Sequence, residues 1–160
     1  MGEWAGFFGA EVGAAAALTG LVMVAISINL ARILADPGLP GRAAETLVAP
    51  SGVLVIASLA LVPRQPLWMF GTEAIAVGLV LALASAHVLR GVGRLQHHVG
   101  AGYIAGRVAV ALLCCMPFII SGVLLVLGCR SALYWMVPGM VVSLISTVLA
   151  AWVLLVEILR

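Results

Sequence analysis

The chain predicts an all-α polytopic integral membrane protein: a single transmembrane domain of five helices, N-terminus outside and C-terminus inside. Three observations carry that prediction. Apolar residues fill 64% of the 160 positions and charged residues only 9%, whereas a soluble domain carries about 25% charged residues, so lipid is the expected solvent. The apolar residues gather into runs of the roughly 20 residues needed to cross the hydrocarbon as a helix. Most arginines and most aromatic residues separate to opposite ends of those runs.

The first run extends from about Trp4 to Leu34. No basic segment precedes it and no small-residue cleavage site follows a short apolar core, so it reads as a retained helix. Asp36-Pro37-Gly38-Leu39-Pro40-Gly41 breaks the chain. The second run, Arg42 to Val62, contains Pro50, which removes one backbone hydrogen bond and is expected to kink the helix. Pro63-Arg64-Gln65-Pro66 is the next break, and the third run covers Leu67 to Leu89. A polar connection from Arg90 to Tyr103, rich in Gly and His, precedes the fourth run, Ile104 to Leu127. Gly128-Cys129-Arg130-Ser131 forms a tight turn into the fifth, Leu133 to Leu159.

Five spans put the chain ends on opposite sides. Arg32, Arg42, Arg90, Arg94, Arg107 and Arg160 then share one side against Arg64 and Arg130 on the other, and the positive-inside rule makes the arginine-rich side cytoplasmic. Trp4, Phe7, Phe8, Trp68, Phe70, Tyr134 and Trp135 fall at the opposite face, where amphipathic rings sit at the headgroup boundary. In the first helix Gly9 and Gly13 form a G-x-x-x-G, extended by Ala10 with Ala14 and by Ala16 with Gly20. Such a surface lets backbones approach closely, within one chain or between protomers.

Several segments resemble a known family. They are Ala14-Ala15-Ala16-Ala17-Leu18-Thr19-Gly20-Leu21, Val24 to Leu34, Leu39-Pro40-Gly41-Arg42-Ala43-Ala44-Glu45 and Leu61-Val62-Pro63. Together they resemble an uncharacterised family of small bacterial multi-helix membrane proteins, some loosely named modulators of a membrane protease. The resemblance covers about the first 65 residues. It implies a bacterial inner-membrane location and supplies no catalytic or binding residues.

Ionisable groups inside a bilayer cost about 2.5 to 3.5 kcal/mol at its centre, so each is a functional candidate. Glu11 lies seven residues beyond Trp4 and Glu73 five beyond Trp68; at 1.5 Å per residue both carboxylates fall about 7 to 11 Å below the aromatic belt. At 100° per residue Asn29 shares a face with Glu11, and His87 lies within about 40° of Glu73. If those faces meet they form a polar seam able to conduct or couple a cation or proton. The plainer reading is that each glutamate snorkels outward or pairs with Arg64 or Arg130, fixing helix depth. Asn29 and Arg32 likewise read as interfacial anchors. The fifth helix carries Ser143, Thr147, Ala150 and Glu157 on one face, which packing alone would explain.

No metal or other cofactor is expected. His87, His97 and His98 do not have the spacing of a zinc site, and Cys114, Cys115 and Cys129 offer no C-x-x-C. A net charge of +2 without a basic, aromatic-interleaved patch argues against nucleic acid. No nucleophile elbow, phosphate loop or HExxH is present, so an enzyme is not expected. The leading functional expectation is a small oligomeric channel or transport component for cations or protons. The alternative is an accessory subunit that binds another membrane protein without conducting. Expected partners are the lipid bilayer, further copies of the chain and, on the alternative reading, another membrane protein.

Overall fold

In the computed structural model, residues 2–36, 38–95 and 101–159 are described, with side chains omitted at 91–95, 101, 103, 104 and 157–159. Arg94, His97, His98, Glu157 and Arg160 therefore lie outside the described side chains. The described residues form six α-helices: α1 (Ala5–Ile28), α2 (Leu30–Ala35), α3 (Leu39–Ala60), α4 (Leu67–Leu95), α5 (Ala101–Val126) and α6 (Met136–Leu159). All but α2 are long and apolar enough to cross a bilayer, which makes the chain a five-span, all-α membrane protein.

The first span ends earlier than its hydropathy suggests. Ser27 Oγ donates to Met23 O (2.8 Å) and Asn29 Nδ2 to Ala25 O (2.9 Å), side-chain bonds that compete with the helical ladder. The ladder breaks at Asn29, whose carbonyl then starts the short α2 by accepting from Arg32 and Ile33. α3 begins at Leu39 rather than Arg42, because Pro40 sits in its first turn, where a missing N–H costs nothing. It continues through the buried Pro50 for 22 residues, about 33 Å at the helical rise, so it spans despite the lost bond. Both α4 and α5 run into the connection expected to be polar loop: helix geometry need not stop where the apolar run does.

α3 packs on α4, α4 on α5, α5 on α6, and α6 back on α3, closing a four-helix ring. α1 lies outside the ring, mainly against α3 and more lightly against α6. At one end the ring is filled by Phe70, Phe118, Leu125, Leu133, Met136 and Met140, all buried. The aromatic residues assigned to that end meet there: Trp4 lies edge-on to Tyr134 at 4.8 Å between ring centroids, and Phe8 to Phe70 at 6.2 Å. The outward faces carry Leu21, Ile28, Leu83, Leu127 and Trp152, each more than 60% exposed, as a lipid-solvated surface requires.

The tightest helix crossing joins α4 to α5. A Cβ built on Gly122 would stand 2.6 Å from the Gly71 carbonyl oxygen, and one on Gly71 would stand 2.7 Å from that of Gly122. Farther along α4, a Cβ on Gly78 would stand 2.6 Å from the Ile119 side chain. By contrast Gly9, Gly13 and Gly20 have open space where a Cβ would go, and all three are exposed. They are not packing positions within this chain; they form the outward face of α1, because α1 turns Phe8, Ala15 and Val22 inward instead.

α5 ends in a Schellman turn. Gly128 takes φ +88, its N–H donates to Leu125 O (3.0 Å), and Cys129 N–H reaches back to Leu124 O (2.9 Å). Ser121 Oγ, buried, then donates to Ala132 O (2.7 Å), tying the following turn to α5. Gly128→Ala, which forces a Cβ into the left-handed region, is expected to cost about 1 kcal/mol. Unfolding in mixed micelles would measure it.

Candidate functional site

Where the ring is not filled by aromatic and methionine side chains, it encloses a cavity of about 390 Å³. The helix turns that line it lie away from the aromatic end: the first half of α3, the middle of α4, the first half of α5 and the second half of α6. Small residues make the space, since Ala49, Gly106, Ala111 and Ala150 stand where larger side chains would meet across the ring. Between Arg107 and Cys115 the wall follows α5 for about 12 Å at the helical rise.

The lining is graded along that depth. Toward the helix ends lie Arg42, Glu45 and Arg107; farther in come Thr46, Ser85, Cys114, Cys115, Ser146 and Thr147 among Val, Leu and Ala. Arg107 on α5 forms an ion pair with Glu45 on α3, its Nη2 donating to Glu45 Oε2. These two helices face each other across the ring rather than packing side by side, so the pair bridges the cavity near its charged end. Its side chains are 18% and 31% exposed, which partly removes both charges from solvent and strengthens their attraction.

The inner hydroxyls are largely satisfied by their own helices. Thr46 Oγ1 donates to Ala43 O, Thr147 Oγ1 to Ser143 O (both 2.7 Å) and Ser146 Oγ to Ser143 O (2.9 Å). Cys114 Sγ meets Ser146 Oγ at 3.6 Å, joining α5 to α6. A solute in the inner part therefore meets mostly apolar surface with a few hydroxyls and thiols, while the charged groups among the described lining residues, Arg42, Glu45 and Arg107, stand nearer the helix ends.

The residues singled out in the sequence lie elsewhere. Glu73, half-buried, accepts from Gln65 Nε2 at 2.5 Å. Glu11 Oε2 is buried without a hydrogen-bond partner. Phe8 and Phe70, each three residues before one of these glutamates, are in contact, so the two helices run side by side at that end, but neither glutamate lines the cavity. Asn29 spends its amide on Ala25 O, and His87 is exposed. With α1 packed on α3 and α4 lying in the ring, no polar seam between Asn29 and His87 is formed by the described contacts. Among the described residues no three His, Cys, Asp or Glu side chains gather to hold a metal ion.

Arg107 entered the sequence reading only through the arginine asymmetry, Arg42 through that and the family resemblance, and Glu45 through the resemblance alone. The available signals were an Arg three residues inside the fourth apolar run and an Arg-x-x-Glu at the start of the second. Neither indicates that residues 62 positions apart meet. No family model, curated protein or solved structure matches the chain.

Proposed function

We propose that the protein is a small solute-binding or transport component of the bacterial inner membrane whose working site is the cavity between α3, α4, α5 and α6. The observation that carries this reading is a cavity of about 390 Å³, built from all four ring helices and bridged by the Arg107–Glu45 pair. Ligand sites are typically cavities of about 300 to 1,000 Å³, mostly apolar with a few placed polar groups, and often lie between bundle helices. On this reading Glu11 and Glu73 set helix depth at the aromatic end, and the cavity handles the solute.

The test is flux of protons, monovalent cations and small organic solutes in proteoliposomes. Wild type would run beside Ala150→Trp, which fills the cavity, the milder Ala111→Leu, and the double variant Glu11→Gln/Glu73→Gln. Flux is expected to be lost in the cavity variants and retained in the acidic-pair variant; the reverse would return the site to the two glutamates. Absence of flux from wild type itself would favour the second reading, an accessory subunit that associates with another copy or another membrane protein. That reading is supported by the outward Gly9, Gly13 and Gly20 face of α1.

The charge asymmetry supports placing the arginine-rich end, and with it the charged end of the cavity, in the cytoplasm. Cys129, exposed at the opposite end, reports on this. A membrane-impermeant maleimide is expected to label it in intact cells whose outer membrane admits the reagent. Labelling only in inverted vesicles would mean the opposite orientation.

A further inference from the structure

We infer that the cavity takes a neutral, mostly apolar molecule with a single hydroxyl end, the hydroxyl seated among Cys115, Ser146 and Thr147 and the chain lying between Val110, Leu149 and Ala150. This inference rests on the reading of the cavity as the working site and adds the class of ligand.

The charged level of the wall is already engaged. Glu45 holds Arg107 across the ring, and Arg42 and Arg107 each make further interactions. An incoming ion of either sign therefore competes there with contacts the protein makes on its own. Deeper in, the described lining carries no charged side chain. An ion that moved down the wall would leave its water and meet no fixed opposite charge, which is the costliest kind of burial. A neutral molecule avoids both difficulties.

The inner polar groups select the kind of neutral end. Ser85, Cys114, Cys115, Ser146 and Thr147 bring hydroxyls and thiols to this part of the wall. Ser146 and Thr147 both give their hydroxyl hydrogens to Ser143 O, and each hydroxyl oxygen still has lone pairs with which to accept. Since the Ser146 hydrogen is spent, Cys114 is the donor in its 3.6 Å contact with Ser146 Oγ. Ser85 Oγ donates to Cys115 Sγ, which leaves the Cys115 thiol hydrogen to give. The inner wall thus offers accepting oxygens together with a thiol donor. A ligand hydroxyl, which both donates and accepts, matches that pair, whereas a carboxylate only accepts and an ammonium only donates.

Shape sets the rest of the molecule. Val48, Ala49, Val110, Ala111, Leu149 and Ala150 separate the inner polar groups from the charged level. The wall of about 12 Å accommodates an extended chain of about eight carbons. A chain gives up no hydrogen bonds by entering such a space, and a compact polar solute does. A free medium-chain alcohol and a neutral lipid with an unesterified hydroxyl share this chemistry, so the source must be separated by experiment.

The experiment is equilibrium binding to the full-length protein in neutral detergent, using 1-octanol, octane and ionised octanoate as probes, each corrected for uptake by empty micelles. Octanol is expected to bind at least tenfold more tightly than octanoate and severalfold more tightly than octane. Ser146→Ala, which removes an accepting oxygen, should bring octanol down to the affinity of octane and leave octane unchanged. Octanoate binding as tightly as octanol would overturn the neutral class, and octanol binding no more tightly than octane would overturn the hydroxyl end. Either result leaves the cavity reading intact, provided Ala150→Trp still abolishes binding. Undiminished octanol binding in both Ala150→Trp and Ala111→Leu would overturn the cavity reading and the proposal together. Displacement of octanol by a monoacylglycerol would support the proposal with a lipid as source, and failure of that lipid to compete would support it with a free alcohol.

Discussion

Gly122→Val is expected to destabilise the protein by about 3 kcal/mol or more, at the upper end of the range for overpacking a close-packed interior. The reason is geometric. The added Cβ would stand 2.6 Å from the Gly71 carbonyl oxygen and 3.0 Å from the Ile75 backbone nitrogen. Backbone atoms cannot rotate aside as the end of a leucine can, so α4 and α5 must separate along their whole crossing. Gly13→Val provides the contrast: its Cβ would meet nothing within 4 Å, and the expected change in monomer stability is within about 0.5 kcal/mol. Unfolding both variants in mixed micelles tests the difference. Equal losses would mean that α1 is packed by its glycine face.

Glu45→Ala carries the second large effect. Removing one member of a fully buried ion pair costs about 3 to 5 kcal/mol, because the remaining charge is left without compensation. With Arg107 and Glu45 18% and 31% exposed, solvent screens part of this and about 2 kcal/mol is expected. Glu45→Ala/Arg107→Ala should recover part of that loss, since it removes the guanidinium along with the carboxylate it faces. A double-mutant cycle in the same micelle system measures the coupling. Additive single losses would mean that the bridge across the ring contributes nothing.

These two sites also show what the sequence could and could not convey. Five spans were legible because each is an apolar run of membrane length bounded by Pro, Gly or Arg, and a bilayer permits few other structures for such runs. The end at which Trp4, Tyr134, Phe8 and Phe70 meet was legible for the same reason: interfacial rings mark helix ends. The direction in which a helix faces was not. Gly9-x-x-x-Gly13 has the local pattern of a packing motif, yet it points outward, while Gly122 carries no neighbouring small-residue pattern of its own and makes the closest crossing. A spacing within one helix describes its surface; only the facing helix decides whether that surface is used. Hydropathy likewise carried the first span past Asn29, where two side-chain bonds to the preceding turn break the ladder.

The candidate site was hidden by the same non-locality. Arg42, Glu45 and Arg107 each read as a residue near a membrane boundary, and their convergence depends on α3 and α5 facing across a ring whose order comes from packing. The cavity depends further on Ala49, Ala111 and Ala150 falling at about one level of three helices, with Gly106 nearer the charged end, and no single segment records that coincidence. Glu11 and Glu73 drew attention because intramembrane carboxylates are costly, yet neither lines the cavity, which lies toward the other end of the ring.

Thiol modification inside the cavity tests the central claim most directly. In a Cys115→Ser/Cys129→Ser background, Cys114 becomes the single reporter, placed in the wall beside Ser146. In vesicles exposing the arginine-rich end, a small methanethiosulfonate reagent should modify Cys114, with Ala150→Trp slowing the reaction at least tenfold and Glu45→Ala accelerating it. Reaction only from the aromatic end, or a rate unchanged by Ala150→Trp, would contradict a solute cavity opening at the charged end of the ring.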